Sequence, residues 1–156
     1  MERIIEENKV WIDSVWEKLE AKLSVTAELS KNKIPYTTVN GIHDNCIEAE
    51  PPHSIDWWTN GFWPGLMWLM YLATGKDVFR ITAENAELAL DKSITKASRV
   101  DHDLGFMWHL SAGADYRITG KQESKNRNIL AALLLAARFN HDGGFIRAWN
   151  HKGHEG

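Results

Sequence analysis

The sequence predicts an all-α fold, a ring built from helical hairpins. Three observations carry this. Apolar residues recur at helical spacing in three long segments, two shorter segments are apolar on nearly every side, and the chain repeats itself with a period near 45 residues.

Residues 3–29 read as one helix. Ile4, Ile5, Trp11, Ile12, Val15, Trp16, Leu19 and Leu23 recur at three- and four-residue steps, and Lys9, Asp13, Glu17, Lys18, Glu20 and Lys22 fill the other side. Residues 31–56 break the pattern with Pro35, Gly41, Pro51 and Pro52, and are expected to form a long connection. From 63 to 73 almost every residue is apolar, which predicts a helix buried on all sides. Gly75 is the expected C-cap, and Lys76-Asp77 opens the next helix, over 77–97. A loop near 99–105 leads to a second buried helix over 106–118. A further amphipathic helix follows over 122–139, then a tail rich in Gly, His and Asn from 140 to 156.

The repeat is visible in the punctuation. Gly61-Phe62 opens one short apolar unit, which ends at Thr74-Gly75-Lys76. Gly105-Phe106 opens another, which ends at Thr119-Gly120-Lys121, and Gly144-Phe145 looks like a third start. Stacked helical hairpins can form an open solenoid or a closed ring. Inner helices that are apolar all round favour the ring. About two and a half hairpins are present, so a third inner helix is expected near the end of the chain.

Composition narrows the functional classes. The apolar and charged fractions, 44% and 25%, are those of an ordinary soluble protein, and a net charge of -3 gives no basic footprint for nucleic acid or an anionic membrane. No run is long enough to span a bilayer, and the first residues carry no apolar leader segment, so a cytoplasmic location is expected. The lone Cys46 has no intramolecular partner and reads as an inert, buried thiol. Eight tryptophans are several times the usual number. They fit either a core rich in large rings or a cleft whose flat faces stack on sugars.

In a ring of hairpins, the loops feeding the inner helices gather at one end. Here these are Asp56-Trp57-Trp58-Thr59-Asn60-Gly61, Val100-Asp101-His102-Asp103-Leu104-Gly105 and Asn140-His141-Asp142-Gly143-Gly144, and they hold most of the clustered acidic, imidazole and aromatic groups. Asn60 and Asp101 are suited to helix capping. Thr59 and Asn60 could equally bond sugar hydroxyls. Asp103 lies between His102 and the apolar Leu104-Gly105-Phe106, where burial raises the cost of ionisation, and it is the leading candidate for chemistry. Arg147 is either a bidentate clamp for a uronate carboxylate or a surface arginine. No metal is expected: no Cys partner and no His-Glu-x-x-His pattern occurs, His109 reads as a hydrogen-bonded core residue, and His151 and His154 read as solvated tail.

The run Asp56-Trp57-Trp58-Thr59-Asn60-Gly61-Phe62-Trp63-Pro64-Gly65, followed by Asp101-His102-Asp103-Leu104-Gly105-Phe106 and Phe145-Ile146-Arg147-Ala148-Trp149, resembles the unsaturated glucuronyl hydrolases of glycoside hydrolase family 88. The resemblance covers essentially the whole chain and matches the N-terminal part, less than half, of a family member. It implies an (α/α)6 barrel, or toroid, forming a single catalytic domain. It also implies hydration of the C4=C5 double bond in the unsaturated uronic acid that ends a lyase-generated oligosaccharide. Asp103 matches the family's first catalytic aspartate, His102 a residue contacting the unsaturated sugar, and Trp57 and Trp149 ring-stacking residues; no cofactor is implied. The family's principal acid/base lies on a later motif, expected beyond residue 156. The 156-residue chain alone is therefore expected to be inactive and prone to self-association. Two alternatives remain open: a non-catalytic helical module binding a glycan or protein, and the related unsaturated rhamnogalacturonyl hydrolases, which share the barrel.

Overall fold

A computed structural model describes residues 2–95 and 98–150. The order is α1 (Glu2–Glu7), α2 (Lys9–Leu29), a hairpin of β1 (Thr38–Val39) and β2 (Ile42–His43), a single 3-10 turn at Trp58–Gly61, α3 (Phe62–Thr74), α4 (Asp77–Ile94), α5 (Leu104–Leu110), α6 (Ala112–Thr119), α7 (Gln122–Ala136), and a hairpin of β3 (Phe139–Asn140) and β4 (Phe145–Ile146). The tail histidines His151 and His154 lie outside the described residues.

The two repeat units close in the same way, atom for atom. Gly75 and Gly120 sit in the left-handed region at φ 69° and 76°. Their N–H groups donate to Tyr71 O and Tyr116 O at 2.8 and 2.9 Å. Thr74 and Thr119 turn their hydroxyls back to Met70 O and Asp115 O, and each Oγ1 accepts the N–H of the following lysine at 3.2 Å. A hydroxyl between an orphan carbonyl and an orphan N–H satisfies both. Each turn reverses the chain into a longer helix, so α3 packs on α4, and α5 and α6 pack on α7.

The inner helices meet at glycine. A Cβ at Gly61 would overlap the backbone of Phe106 and Met107, so the start of α3 and the start of α5 touch main chain to main chain. Gly61→Ala should therefore cost on the order of 1–3 kcal/mol through overpacking. An unchanged chemical-denaturation midpoint would show that this crossing is looser than described. Two core clusters flank the crossing. One is built on Trp108, Leu104, Met107, Leu90 and Ile34, the other on Trp68, Met67, Phe79, Ala83 and Ala27. Cys46 is buried in the first, and burial, with Asp44 nearby, pushes its thiol up to about 11, as an inert thiol requires.

Besides the break at Asn8, which divides the helix expected over 3–29 into α1 and α2, four features depart from the sequence reading. First, α3 is not buried on every side: Phe62, Leu66, Leu69 and Leu72 are exposed along one face. With Leu110, Ala114 and Ile118 they line a cavity of about 950 Å³. α4 covers the opposite face, and no described element covers this one. Second, the helix expected over 106–118 is two helices. Ser111 breaks it at φ -96°, ψ -89°, and its buried hydroxyl donates to Met107 O. Third, Gly144-Phe145 opens no inner helix. Phe139 pairs with Ile146 and Asn140 with Phe145 in an antiparallel hairpin. Fourth, the 31–56 connection contains a hairpin whose Asn40-Gly41 turn takes φ 52° and 77°, the backbone that two-residue turns require.

Where α4, α6 and α7 meet, polar groups are buried. Ser124 Oγ lies 2.7 Å from Glu87 Oε1 and 2.8 Å from Asp115 Oδ2. Arg127 reaches Glu87 at 3.2 Å and grips both oxygens of Asp91. Burial, the largest cause, pushes the Glu87 carboxyl up to about 7. The Ser124 hydrogen bond and the Arg127 charge oppose the shift, and Asp115 adds to it.

Candidate active site

The loop from 98 to 103 delivers the acidic and imidazole groups to the N-terminus of α5. Asp101 does not cap α5: its Oδ1 accepts the N–H of Asp103 at 3.0 Å in a local turn, and the N-cap position is held by Asp103, whose side chain bonds no helix N–H. Asn60 does not cap. It is 1% exposed and its amide donates to Ser54 O and Ile55 O at 2.9 and 3.0 Å, which ties the Trp57-Trp58 loop to the residues before it. Arg99 closes the same loop by gripping both oxygens of Asp56 at 2.9 and 3.0 Å.

His102 is held firmly. Its backbone N–H and its Nδ1 both meet Ala148 O, at 3.3 and 2.8 Å. A carbonyl oxygen only accepts, so Nδ1 carries a proton. In the neutral ring Nε2 is then a lone pair, and it faces Asp103 Oδ1 at 3.5 Å. An unprotonated nitrogen facing a carboxylate is repulsive, so this geometry favours one proton shared between them. Asp103 fits that role. Its side chain is 16% exposed, and burial pushes its carboxyl above the usual carboxylate range, partly offset by His102 and reinforced by Asp101. The ring of Trp149 stands edge-on to His102, with centroids 4.6 Å apart and planes at 84°.

A cavity of about 580 Å³ opens beside this group, with His102, Phe106, His109, Leu110 and Asn128 on its walls. His109 is exposed there and is not the core residue that its apolar neighbours suggested. α5 is short, and Met107 and Trp108 take the core-facing positions instead. Trp57 sits at the far end of an aromatic row. It packs against His53 and Trp58, and Trp58 reaches Phe106 at 5.8 Å. Arg147 is exposed and lines a separate pocket with Arg138, Phe139 and Asn150. Thus His102, Asp103 and Trp149 come together, Trp57 lies apart in its own aromatic row, and Arg147 faces elsewhere. Trp68 and Trp108 are core, whereas Trp58 and Trp149 are exposed near the loops.

Asp101, His102 and Asp103 offer ligand atoms within 4.8 Å of one another, close enough for a cation to bridge. Nδ1 is already committed to Ala148, and one Asp101 oxygen to the Asp103 N–H. No helix among the described residues is long and apolar enough to cross a membrane.

No family model matches the chain. Similar proteins are nonetheless found. The unsaturated chondroitin disaccharide hydrolase of Streptococcus pneumoniae is 34% identical over 143 residues, 91% of this chain and 34% of that protein. The crystal structure of unsaturated glucuronyl hydrolase from Streptococcus agalactiae superposes with a TM-score of 0.63 at 30% identity, over 88% of this chain and 36% of the other. The unsaturated glucuronyl hydrolase structure from Bacillus sp. GL1 superposes with a TM-score of 0.71 over 92% and 36%, at 23% identity, a likeness of fold. The helical hairpins are thus part of an (α/α)6 barrel. The chain spans about a third of the length of the curated relatives it matches, and over that span its similarity is to unsaturated glucuronyl hydrolases, at 34% and 31% identity to two of them.

Proposed function

We propose that the chain supplies part of the catalytic domain of a glycosidase, one that removes the 4,5-unsaturated uronic acid from the non-reducing end of lyase-generated oligosaccharides. The observation that carries this reading is the half-buried Asp103 carboxyl, with its raised proton affinity, beside the Nε2 of a tautomer-fixed His102. Such a group keeps its proton to higher pH than an exposed aspartic acid and can hand it on.

The chemistry this suits is hydration of a vinyl ether. A proton adds at C4, and water attacks C5 and loses a proton. The resulting hemiketal opens by breaking the bond from C5 to the ring oxygen, leaving a ketone at C5. The ring oxygen becomes a hydroxyl on C1, and that hemiacetal expels the leaving sugar as an alcohol. Charge develops only at the ring oxygen and C5, so this route does not need the two carboxylates that ordinary glycosidases place around the anomeric carbon. Asp103 and His102 would meet the unsaturated ring, and Trp149 would stack on it.

The test is a continuous assay of the double bond's ultraviolet absorbance with unsaturated glucuronyl disaccharides and a saturated control. We expect turnover of the unsaturated sugars by a polypeptide that carries the complete barrel, and none by residues 1–156 alone. Binding of saturated and unsaturated sugars alike, with no turnover by either polypeptide, would point instead to a glycan-binding module.

A further inference from the structure

We propose that Arg138 is a positioning residue: it presses the Ala148 carbonyl against His102, and so fixes the imidazole tautomer that faces Asp103. The catalytic consequence rests on the reaction proposed above; the structural half does not.

Arg138 directly follows the C-cap of α7 and is half-buried. Its guanidinium is spent on two separate segments. Nε donates to Arg147 O at 2.7 Å, one terminal nitrogen to Ala148 O at 2.9 Å, and the other to Asn150 Oδ1 at 2.8 Å and Val100 O at 3.4 Å. Asn150 completes the clamp by donating to Ser98 O and Val100 O, both at 3.1 Å. One planar fork therefore joins the irregular segment that follows the β3–β4 hairpin to the loop that carries His102.

The effect converges on one atom. Ala148 O accepts from Arg138 and from the Nδ1 of His102. Were Nδ1 unprotonated, its lone pair would oppose the lone pairs of a carbonyl that Arg138 prevents from turning away. The ring is thereby confined to the tautomer with Nε2 open toward Asp103. Trp149 lies between Ala148 and Asn150 in the same clamped stretch, so its edge-on seat against His102 depends on the same fork. A lysine cannot reproduce this, because one ammonium has no fixed fork of donors.

The experiment combines 15N-histidine NMR on the chain with turnover in the complete-barrel polypeptide, for Arg138→Met, Arg138→Lys and the wild type. In the wild type, neutral His102 should show Nδ1–H. In Arg138→Met it should become a mixture of tautomers, with kcat on an unsaturated disaccharide reduced about 10²-fold, the scale of a small misplacement. Arg138→Lys should recover little of either. Circular dichroism monitors the helices. If Arg138→Met does not fold, Asn150→Ala removes one arm of the clamp and should shift the tautomer the same way by less. A His102 that keeps Nδ1–H in the folded variants overturns the proposal, as does a changed tautomer with unchanged kcat. If the wild type turns over no unsaturated sugar, the proposed reaction fails, while the tautomer measurement still decides the clamp.

Discussion

Asp103→Asn, made in a polypeptide that carries the complete barrel, should lower kcat on an unsaturated glucuronyl disaccharide by about 10²–10⁴-fold, the usual contribution of a positioned acid or base. Asparagine keeps the shape and the backbone turn, because it is the Asp103 N–H, not its side chain, that bonds Asp101. It removes the ionisable carboxyl and with it the transferable proton, while its amide N–H can still face His102 Nε2. Melting temperature and helical signal should therefore match the wild type. The wild-type rate should also fall on the alkaline side, as Asp103 gives up its proton. Because burial moves that carboxyl above the usual carboxylate range, the fall should come later than for an exposed aspartic acid. An unchanged rate in Asp103→Asn would remove this residue from the chemistry.

Glu87→Gln should change how stability depends on pH. The donor count in the buried cluster is short. One Ser124 hydroxyl hydrogen stands between two carboxylate oxygens, at 2.7 and 2.8 Å, so a second proton is needed to satisfy both contacts. Glu87 is the group pushed up, to about 7 from an ordinary 4.5. Between those values the folded chain retains a proton that the unfolded chain has released. Stability is therefore full below about pH 4.5 and falls as pH rises toward about 7. The loss amounts to on the order of 3 kcal/mol. Glutamine supplies its own N–H to Ser124, carries no ionisable group, and leaves Arg127 its two bonds to Asp91. The variant should lose this part of the slope in denaturant titrations between pH 4.5 and 7. A slope identical to the wild type's would place the proton elsewhere.

What the sequence made legible is local. Thr74-Gly75-Lys76 and Thr119-Gly120-Lys121 announce their turns because hydroxyl, left-handed glycine and following N–H all lie within three residues. His102 and Asp103 were legible as a pair because polar residues stand beside an apolar helix start. The break at Ser111 was not, since a serine inside an apolar helix can bond back to the preceding turn without breaking it. The hairpin at 139–146 was masked by Gly144-Phe145, which repeats the opening of the earlier inner helices but is followed by strand pairing. Asn60 carries the residue type of a cap, and only the folded chain shows that its amide is spent on two loop carbonyls. Arg138 was invisible for a related reason: most of its partners are backbone carbonyls, which side-chain identity does not reveal.

The most direct test of the central claim, that Asp103 and its neighbours serve protonation of a 4,5-unsaturated uronide, is turnover of an unsaturated glucuronyl disaccharide by the complete-barrel polypeptide in deuterium oxide. The account predicts loss of the double-bond absorbance with a deuteron carried at C4 of the released keto acid, and loss of that signal in Asp103→Asn. A uronic acid cleaved at the anomeric carbon also opens, ketonises and takes deuterium at C4, so timing decides: release of the leaving sugar ahead of the absorbance loss would mean attack at the anomeric carbon and would contradict the account.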